Sequence, residues 1–240
     1  LFEQQPNGLW LMTIGVPVPM ETRVDTTGSM GNNVDVALGV LPRAFELVGQ
    51  MLPGCDLQVA TGIFGDAFSD RFVLCRPQFE MEAGKIVEQL TLMVPERNGG
   101  DATEDPDYGL FAGAYLTADY LSRIGLKGYD FTVSDADGRG SVEKDGIMVV
   151  FGDDVFEKIA GNGHQLDPHR LPRTKEIVKV LLKRAHAFFL QVGDIPTTRD
   201  FWTDVFGQER VVVLPDTRML PQVQAVIIGL TEGTLSLGDV

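Results

Sequence analysis

The run Asp25-Thr26-Thr27-Gly28-Ser29-Met30 sets a carboxylate and two hydroxyls at alternate positions of one tight turn. Asp25, Thr27 and Ser29 can then face a single point, and oxygen donors of mixed charge suit a hard cation such as Mg²⁺, Mn²⁺ or Ca²⁺ better than a soft metal. With two of the three donors neutral hydroxyls, the ion's charge is left only partly cancelled, so it can still attract a carboxylate from elsewhere. Without a metal, the same turn would be a polar loop capping the helix that follows. A second loop, Asn98-Gly99-Gly100-Asp101-Ala102-Thr103-Glu104-Asp105-Pro106, carries three carboxylates. Part of that charge is what a helix start asks for, because acidic side chains complement the helix dipole. A third acidic point is Asp135, at the end of the apolar run Tyr129 to Ser134.

The elements that position these loops follow from hydrophobic spacing. Val34, Leu38, Leu41, Phe45, Val48 and Leu52 recur at steps of three and four, one apolar helical stripe, with Pro42 expected to kink it or mark a late start. Leu57 to Phe64 reads as a strand, Gly65 to Asp70 as a turn, and Arg71 to Cys75 as an antiparallel return at a sheet edge. Asp66 and Asp70 in that turn are expected to be solvated, with Asp66 able to border the metal loops. Phe79, Ala83, Ile86, Leu90 and Met93 form a second helical stripe, and a third helix is expected from about Pro106 to Arg123. A helix over 172–184 separates Tyr129–Ser134 from two near-continuous apolar runs, 187–192 and 210–214, of the kind found in parallel sheets buried on both faces. Pro221 opens a last helix. Alternating strands and helices predict a three-layer α/β domain with right-handed crossovers. In such sheets ligands gather at the carboxyl ends of strands where strand order reverses, and the three acidic loops lie there.

With 240 residues, 44% of them hydrophobic, the chain can bury one sizeable core, so a single domain over 1–240 is expected. A net charge of −14 repels phosphate backbones and anionic lipid, so neither a nucleic acid nor a membrane surface is an expected partner. No apolar run approaches the roughly 20 residues of a membrane span, and no typical signal peptide precedes the fold. A cytoplasmic location is the expectation, although a chain opening at Leu1 leaves a removed export segment open. Cys55 and Cys75 have no metal-binding spacing; they flank the hairpin and read as core thiols, with a disulfide as the alternative.

The first loop matches, letter for letter, the Asp-Thr-Thr-Gly-Ser-Met variant of the metal-ion-dependent adhesion site of von Willebrand factor type A domains, and the sequence resembles that family. Gly99-Gly100-Asp101-Ala102-Thr103-Glu104 resembles the family's Gly-Gly-Asp-x-Pro-Glu form, which implies Asp101 as the second-loop ligand, with Thr103 as the alternative. Val133-Ser134-Asp135-Ala136 resembles its apolar strand ending in Thr-Asp, which makes Asp135 a direct or water-mediated ligand. The resemblance covers about 18–232 and implies a Rossmann-like, mostly parallel sheet with one antiparallel edge strand and helices on both faces. It implies a non-enzymatic module for protein binding or adhesion, in which a partner's Asp or Glu completes the shell of a Mg²⁺, Mn²⁺ or Ca²⁺ ion. Two departures stand out. The first strand, Met20-Glu21-Thr22-Arg23-Val24, carries two charges, so it is either short or supplemented by a strand over 9–14; and 137–170 is longer than the family's usual link and reads as an insertion.

Other readings compete. Asp135-Ala136-Asp137-Gly138 resembles the nucleophile motif of haloacid dehalogenase phosphatases, and Phe151-Gly152-Asp153-Asp154 their magnesium motif, but the two lie too close in sequence and Arg139 stands where the motif has Thr. Asp153 is an alternate third-loop ligand if 147–151 is a strand. A structural scaffold with a vestigial metal site is the remaining alternative. His164 and His169 fit no zinc spacing, and no Ser-His-Asp or Cys-His arrangement is legible.

Overall fold

The structure, a computed structural model, describes residues 2–4, 8, 10–12, 15–99, 103–117, 121 and 125–240. Its strands are β1 (Phe2–Gln4), β2 (Trp10–Met12), β3 (Val16–Asp25), β4 (Cys55–Phe64), β5 (Leu74–Cys75), β6 (Thr103–Glu104), β7 (Gly128–Ser134), β8 (Asp137–Gly138), β9 (Ala185–Val192) and β10 (Val211–Leu214). Its helices are α1 (Asn33–Met51), α2 (Ala83–Leu92), α3 (Pro106–Phe111), α4 (Lys144–Phe151), α5 (Val155–Gly161), α6 (Thr174–Leu181), α7 (Pro196–Phe206) and α8 (Leu220–Glu232). No helix among the described residues is long and apolar enough to cross a membrane.

Six strands make the main sheet in the order β10-β9-β7-β3-β4-β5. All neighbours are parallel except β5, which pairs antiparallel with β4 through Ile63 and Cys75. The chain builds outward from β3 to β4 and β5, then returns to the other side of β3 for β7, β9 and β10. Strand order therefore reverses between β3 and β7. Side chains alternate across the sheet. Met20 and Val24 of β3, Phe131 and Val133 of β7 and Leu190 of β9 pack against the apolar stripe of α1 (Val34, Ala37, Leu41, Val48) and against Leu220 and Ile228 of α8. On the opposite face Phe189 of β9 packs with Trp202 and Phe206 of α7 and Ile177 of α6.

The first strand is neither short nor supplemented within its sheet: β3 runs ten residues, and β1 and β2 pair with each other as a separate antiparallel hairpin. Its charges are tolerated because they are buried together. Arg23, fully buried, pairs with Glu21 at 3.1 Å and with Asp130 of β7, and Glu21 takes two further bonds from Arg76 at 2.5 and 2.6 Å. Unpaired charges here would cost several kcal/mol each, so the network is a condition of the fold. The helix above it makes room by omission. A methyl group on Gly109 would lie 2.5 Å from Cδ of Arg23, and one on Gly113 would lie 3.2 Å from the Asp130 carboxylate.

Several boundaries differ from expectation. Helix α1 begins at Asn33 and continues through Pro42, so the proline marks no late start. The third helix ends early: α3 passes into a π-helical turn, Ala112–Leu116, and Thr117 is extended; Arg123 lies outside the described residues. Helix α7, opened by Pro196, was not legible beforehand. Residues 137–170 form β8, α4 and α5, whose Ile147, Val155 and Ile159 cover Phe111 and Tyr115. Cys55 and Cys75 are free thiols.

Candidate metal centre

Asp25 is the last residue of β3 and Ser134 the last of β7, so the two strands at the reversal point end side by side. Ser134 Oγ donates to Asp25 Oδ2 at 2.6 Å. Asp25 Oδ1 accepts from the Thr27 backbone N–H at 2.9 Å and from Thr27 Oγ1 at 2.7 Å, an Asx-type turn that folds the loop back over its own carboxylate. The Thr27 and Ser29 hydroxyls are 3.2 Å apart, and Ser29 Oγ donates to Asp135 Oδ1 at 2.8 Å. Oxygens of Asp25, Thr27, Ser29, Ser134 and Asp135 thus form one contiguous cluster running from a buried carboxylate to a half-buried one, in which Thr27 and Ser134 donate to Asp25 and Ser29 donates to Asp135.

Backbone bonds hold this loop in place. Thr26 gives both its N–H and its hydroxyl to the carbonyl of Phe64, at 2.9 and 3.0 Å. Gly28 N–H donates to the carbonyl of Asn98 at 2.7 Å, and Arg97 N–H to that of Thr26 at 3.1 Å, which fastens the first loop to the start of the second. The close approach explains the glycine, since a methyl group at Gly28 would sit 3.3 Å from the Arg97 carbonyl.

Glu104 brings the second loop to the site. It is 2% exposed, its Oε2 has no hydrogen-bond partner, and burial together with the nearby Asp25 charge pushes its carboxyl up to about 8. Asp25 is raised to about 6, by burial first, against the lowering effect of the Ser134 and Thr27 bonds, and Asp135 adds to the rise. Burial also raises Asp135. Among the described residues no guanidinium or ammonium group pairs with Asp25, Glu104 or Asp135. Buried carboxylates that share a site without a counter-charge, beside hydroxyl lone pairs, have the donor chemistry of a hard divalent cation, so the residues fit such an ion. Among the described residues no three His, Cys, Asp or Glu side chains are grouped to hold an ion by themselves, so hydroxyls have to complete any donor set.

The other candidates fall elsewhere or beyond view. Asp101 lies outside the described residues. Thr103 Oγ1 accepts from Arg139 Nη1 at 2.9 Å. Asp153 is exposed in the turn between α4 and α5, and 147–151 is helical, so neither Asp153 nor the Gly152-Asp153-Asp154 run sits at a strand end. Asp66 corrects the expectation of a solvated turn: it is fully buried and paired with Arg139 at 2.5 Å. Glu104 was read only as helix-start charge, although it is the final residue of the Gly-Gly-Asp-x-Pro-Glu form to which the loop was compared.

No protein-family model matches the sequence, and no curated protein does. Solved structures do match. Proximal thread matrix protein 1 from the mussel byssus, with a zinc-occupied metal-ion-dependent adhesion site motif, superposes with a TM-score of 0.58 at 11% identity, over 91% of this chain and 46% of its own. The pilus adhesin SpaC from Lactobacillus rhamnosus GG, in its open conformation, superposes with a TM-score of 0.57 at 11% identity, over 92% of this chain and 31% of its own. Both are of the von Willebrand type A kind. The fold here is that of a von Willebrand factor type A domain. The chain spans under half the length of the first protein and about a third of the second, and at such identity the likeness is one of fold. In this type A fold the antiparallel β5 edge and the β3/β7 reversal carry the loops described above.

Proposed function

We propose that this chain is a divalent-metal-dependent protein-binding module, a single type A unit with its core over about 18–232 and an insertion at 137–170. Asp25, Thr27, Ser29, Ser134, Asp135 and Glu104 are the residues that would hold Mg²⁺, Mn²⁺ or Ca²⁺, with Asp101 as a further second-loop donor. The bound ion supplies a Lewis-acidic position that a partner's Asp or Glu carboxylate can fill. The observation that carries this reading is the gathering of Asp25, Ser134, Thr27, Ser29 and Asp135 oxygens in one cluster, with the Glu104 carboxylate, whose Oε2 has no hydrogen-bond partner, beside it. A pilus adhesin and a thread matrix protein among its structural neighbours support binding rather than catalysis.

The chain's own residues have plain tasks. Thr27 and Ser134 orient the Asp25 carboxylate; Ser29, exposed at the rim, orients that of Asp135; and the fastening of Gly28 to Asn98 keeps first and second loops in register. A groove of about 620 Å³, lined by Ser29, Glu104, Arg97, Asn98 and Ser69, leaves space above these donors for an incoming side chain. Titration of the metal-free protein with Mn²⁺ by calorimetry tests the proposal. One ion bound by the wild type and none by Asp25→Ala is the expected result, and equal binding by the two would reject it.

A further inference from the structure

Arg139 was notable in the sequence only for standing where a phosphatase motif would have Thr. In the fold it follows β8, four residues after Asp135, and it touches neither Asp25 nor Ser29 in any bond described. Its guanidinium instead reaches into the second loop. Nη1 donates to Thr103 Oγ1 at 2.9 Å, Nη2 to the Thr103 carbonyl at 3.2 Å, and Nε to Asp105 Oδ2 at 3.1 Å. Nη2 also donates to Asp66 Oδ1 at 2.5 Å, in the turn after β4. The Arg139 backbone N–H bonds Asp107 Oδ2 at 3.0 Å, and the exposed ring of Phe68 covers the guanidinium, 4.4 Å from its centroid.

Thr103 and Asp105 bracket Glu104. In an extended segment alternate side chains face opposite ways, so a cation that grips residues 103 and 105 from one side presents residue 104 on the other. That other side is where the Asp25 charge acts on Glu104. The short parallel pairing of β6 with β8, Thr103 with Asp137 and Glu104 with Gly138, sets the two loops in the same register. Arg139 also pairs with Asp66 and Asp105, whereas Asp25, Glu104 and Asp135 have no cationic partner among the described residues.

We propose that Arg139 is a positioning residue for metal binding: it ties the third loop to both neighbours of Glu104 and so holds that carboxylate toward Asp25. The inference rests on the metal-binding reading above. Partners that orient a ligand without touching the ion are typically worth 10- to 100-fold in metal affinity.

Mn²⁺ calorimetry on the whole chain tests this in a cycle of wild type, Arg139→Met, Glu104→Gln and the double variant. Arg139→Met is expected to weaken Mn²⁺ binding about tenfold, and to weaken it no further once Glu104 is Gln, because it acts through Glu104. In the metal-free protein, the amides of Thr103, Glu104, Asp105 and Asp107 should exchange with solvent faster in Arg139→Met. Unchanged affinity in Arg139→Met, or losses that simply add, would overturn the inference while leaving the metal site intact. No Mn²⁺ binding by the wild type would overturn both. Should Arg139→Met fail to fold, Arg139→Lys keeps the charge but cannot bridge Thr103 and Asp105; wild-type affinity in that variant would equally overturn the proposal.

Discussion

Ser134 Oγ donates to Asp25 Oδ2 at 2.6 Å, and this one bond joins the ends of two parallel strands whose residues are 109 apart in the chain. It satisfies an oxygen that is sealed from water. Ser134→Ala should therefore destabilise the metal-free protein by about 1–3 kcal/mol, the cost of an orphaned buried acceptor, as read by urea denaturation. Asp25→Asn should behave differently: it removes a buried charge near Asp135 and Glu104, so the metal-free protein should be no less stable than wild type. Only the rise in melting temperature on adding Mn²⁺ should disappear. A large loss of stability in Asp25→Asn without metal would contradict this account.

Acidity gives a second expectation. With the Asp25 carboxyl at about 6 and the Glu104 carboxyl at about 8, both lie above the ordinary values of roughly 4 that they take in an unfolded chain. The folded protein then holds protons that the unfolded chain has already released, so these two groups make stability fall as pH rises from about 4 to about 8. A divalent ion competes with the same protons. Its affinity should climb across that window, and its binding should release protons, measurable by calorimetry in buffers of different ionisation enthalpy. Metal affinity flat between pH 5 and 8 would refute the assignment of these carboxyls as ligands.

The ion network of the first strand can be tested apart from the metal. Arg23→Met leaves Asp130 without its guanidinium and Glu21 with Arg76 alone, in a region closed to water. Removing one partner from a buried pair costs about 3–5 kcal/mol, which a guanidinium chloride titration would show as a shifted midpoint.

The thiols give the simplest check. Cys75 lies opposite Ile63, and Cys55 is eight residues earlier on β4, about 26 Å away at roughly 3.3 Å per residue. Disulfides need Cα atoms within about 7 Å. The unfolded, unreduced protein should therefore take up two equivalents of a thiol reagent, and its mass should not change with reductant.

What the sequence made legible was whatever lay close together along the chain. Asp25, Thr27 and Ser29 share one turn, and Asp135 ends an apolar run, so their chemistry could be read before any fold was known. The alternation of strands and helices followed from periodicity, and so did an antiparallel edge strand, which was read over 71–75 and covers only Leu74–Cys75; the order of the strands in the sheet was not read. Asp66 was misread because its counter-charge, Arg139, lies 73 residues away, and solvation is the default for an aspartate whose partner is out of sight. Glu104 was passed over because an acid before a helix already has a local explanation. The charged first strand looked unsuited to a sheet centre for the same reason: Arg76 and Asp130 complete its pairing from β5's side and from β7. Helix α7 escaped notice because its inward residues, Trp202 and Phe206, form too short a repeat to stand out.

Gly109 and Gly113 have a consequence for how this sequence can vary. The helix over the β3 charges approaches so closely that Arg23 occupies the volume a larger residue at 109 would need. Mutational drift at 109 is therefore shackled to 23: an alanine at 109 becomes admissible only alongside a shorter side chain at 23, and that change in turn obliges Asp130 to lose its charge, while Glu21 keeps Arg76. Three positions scattered across more than a hundred residues would have to be exchanged as one set.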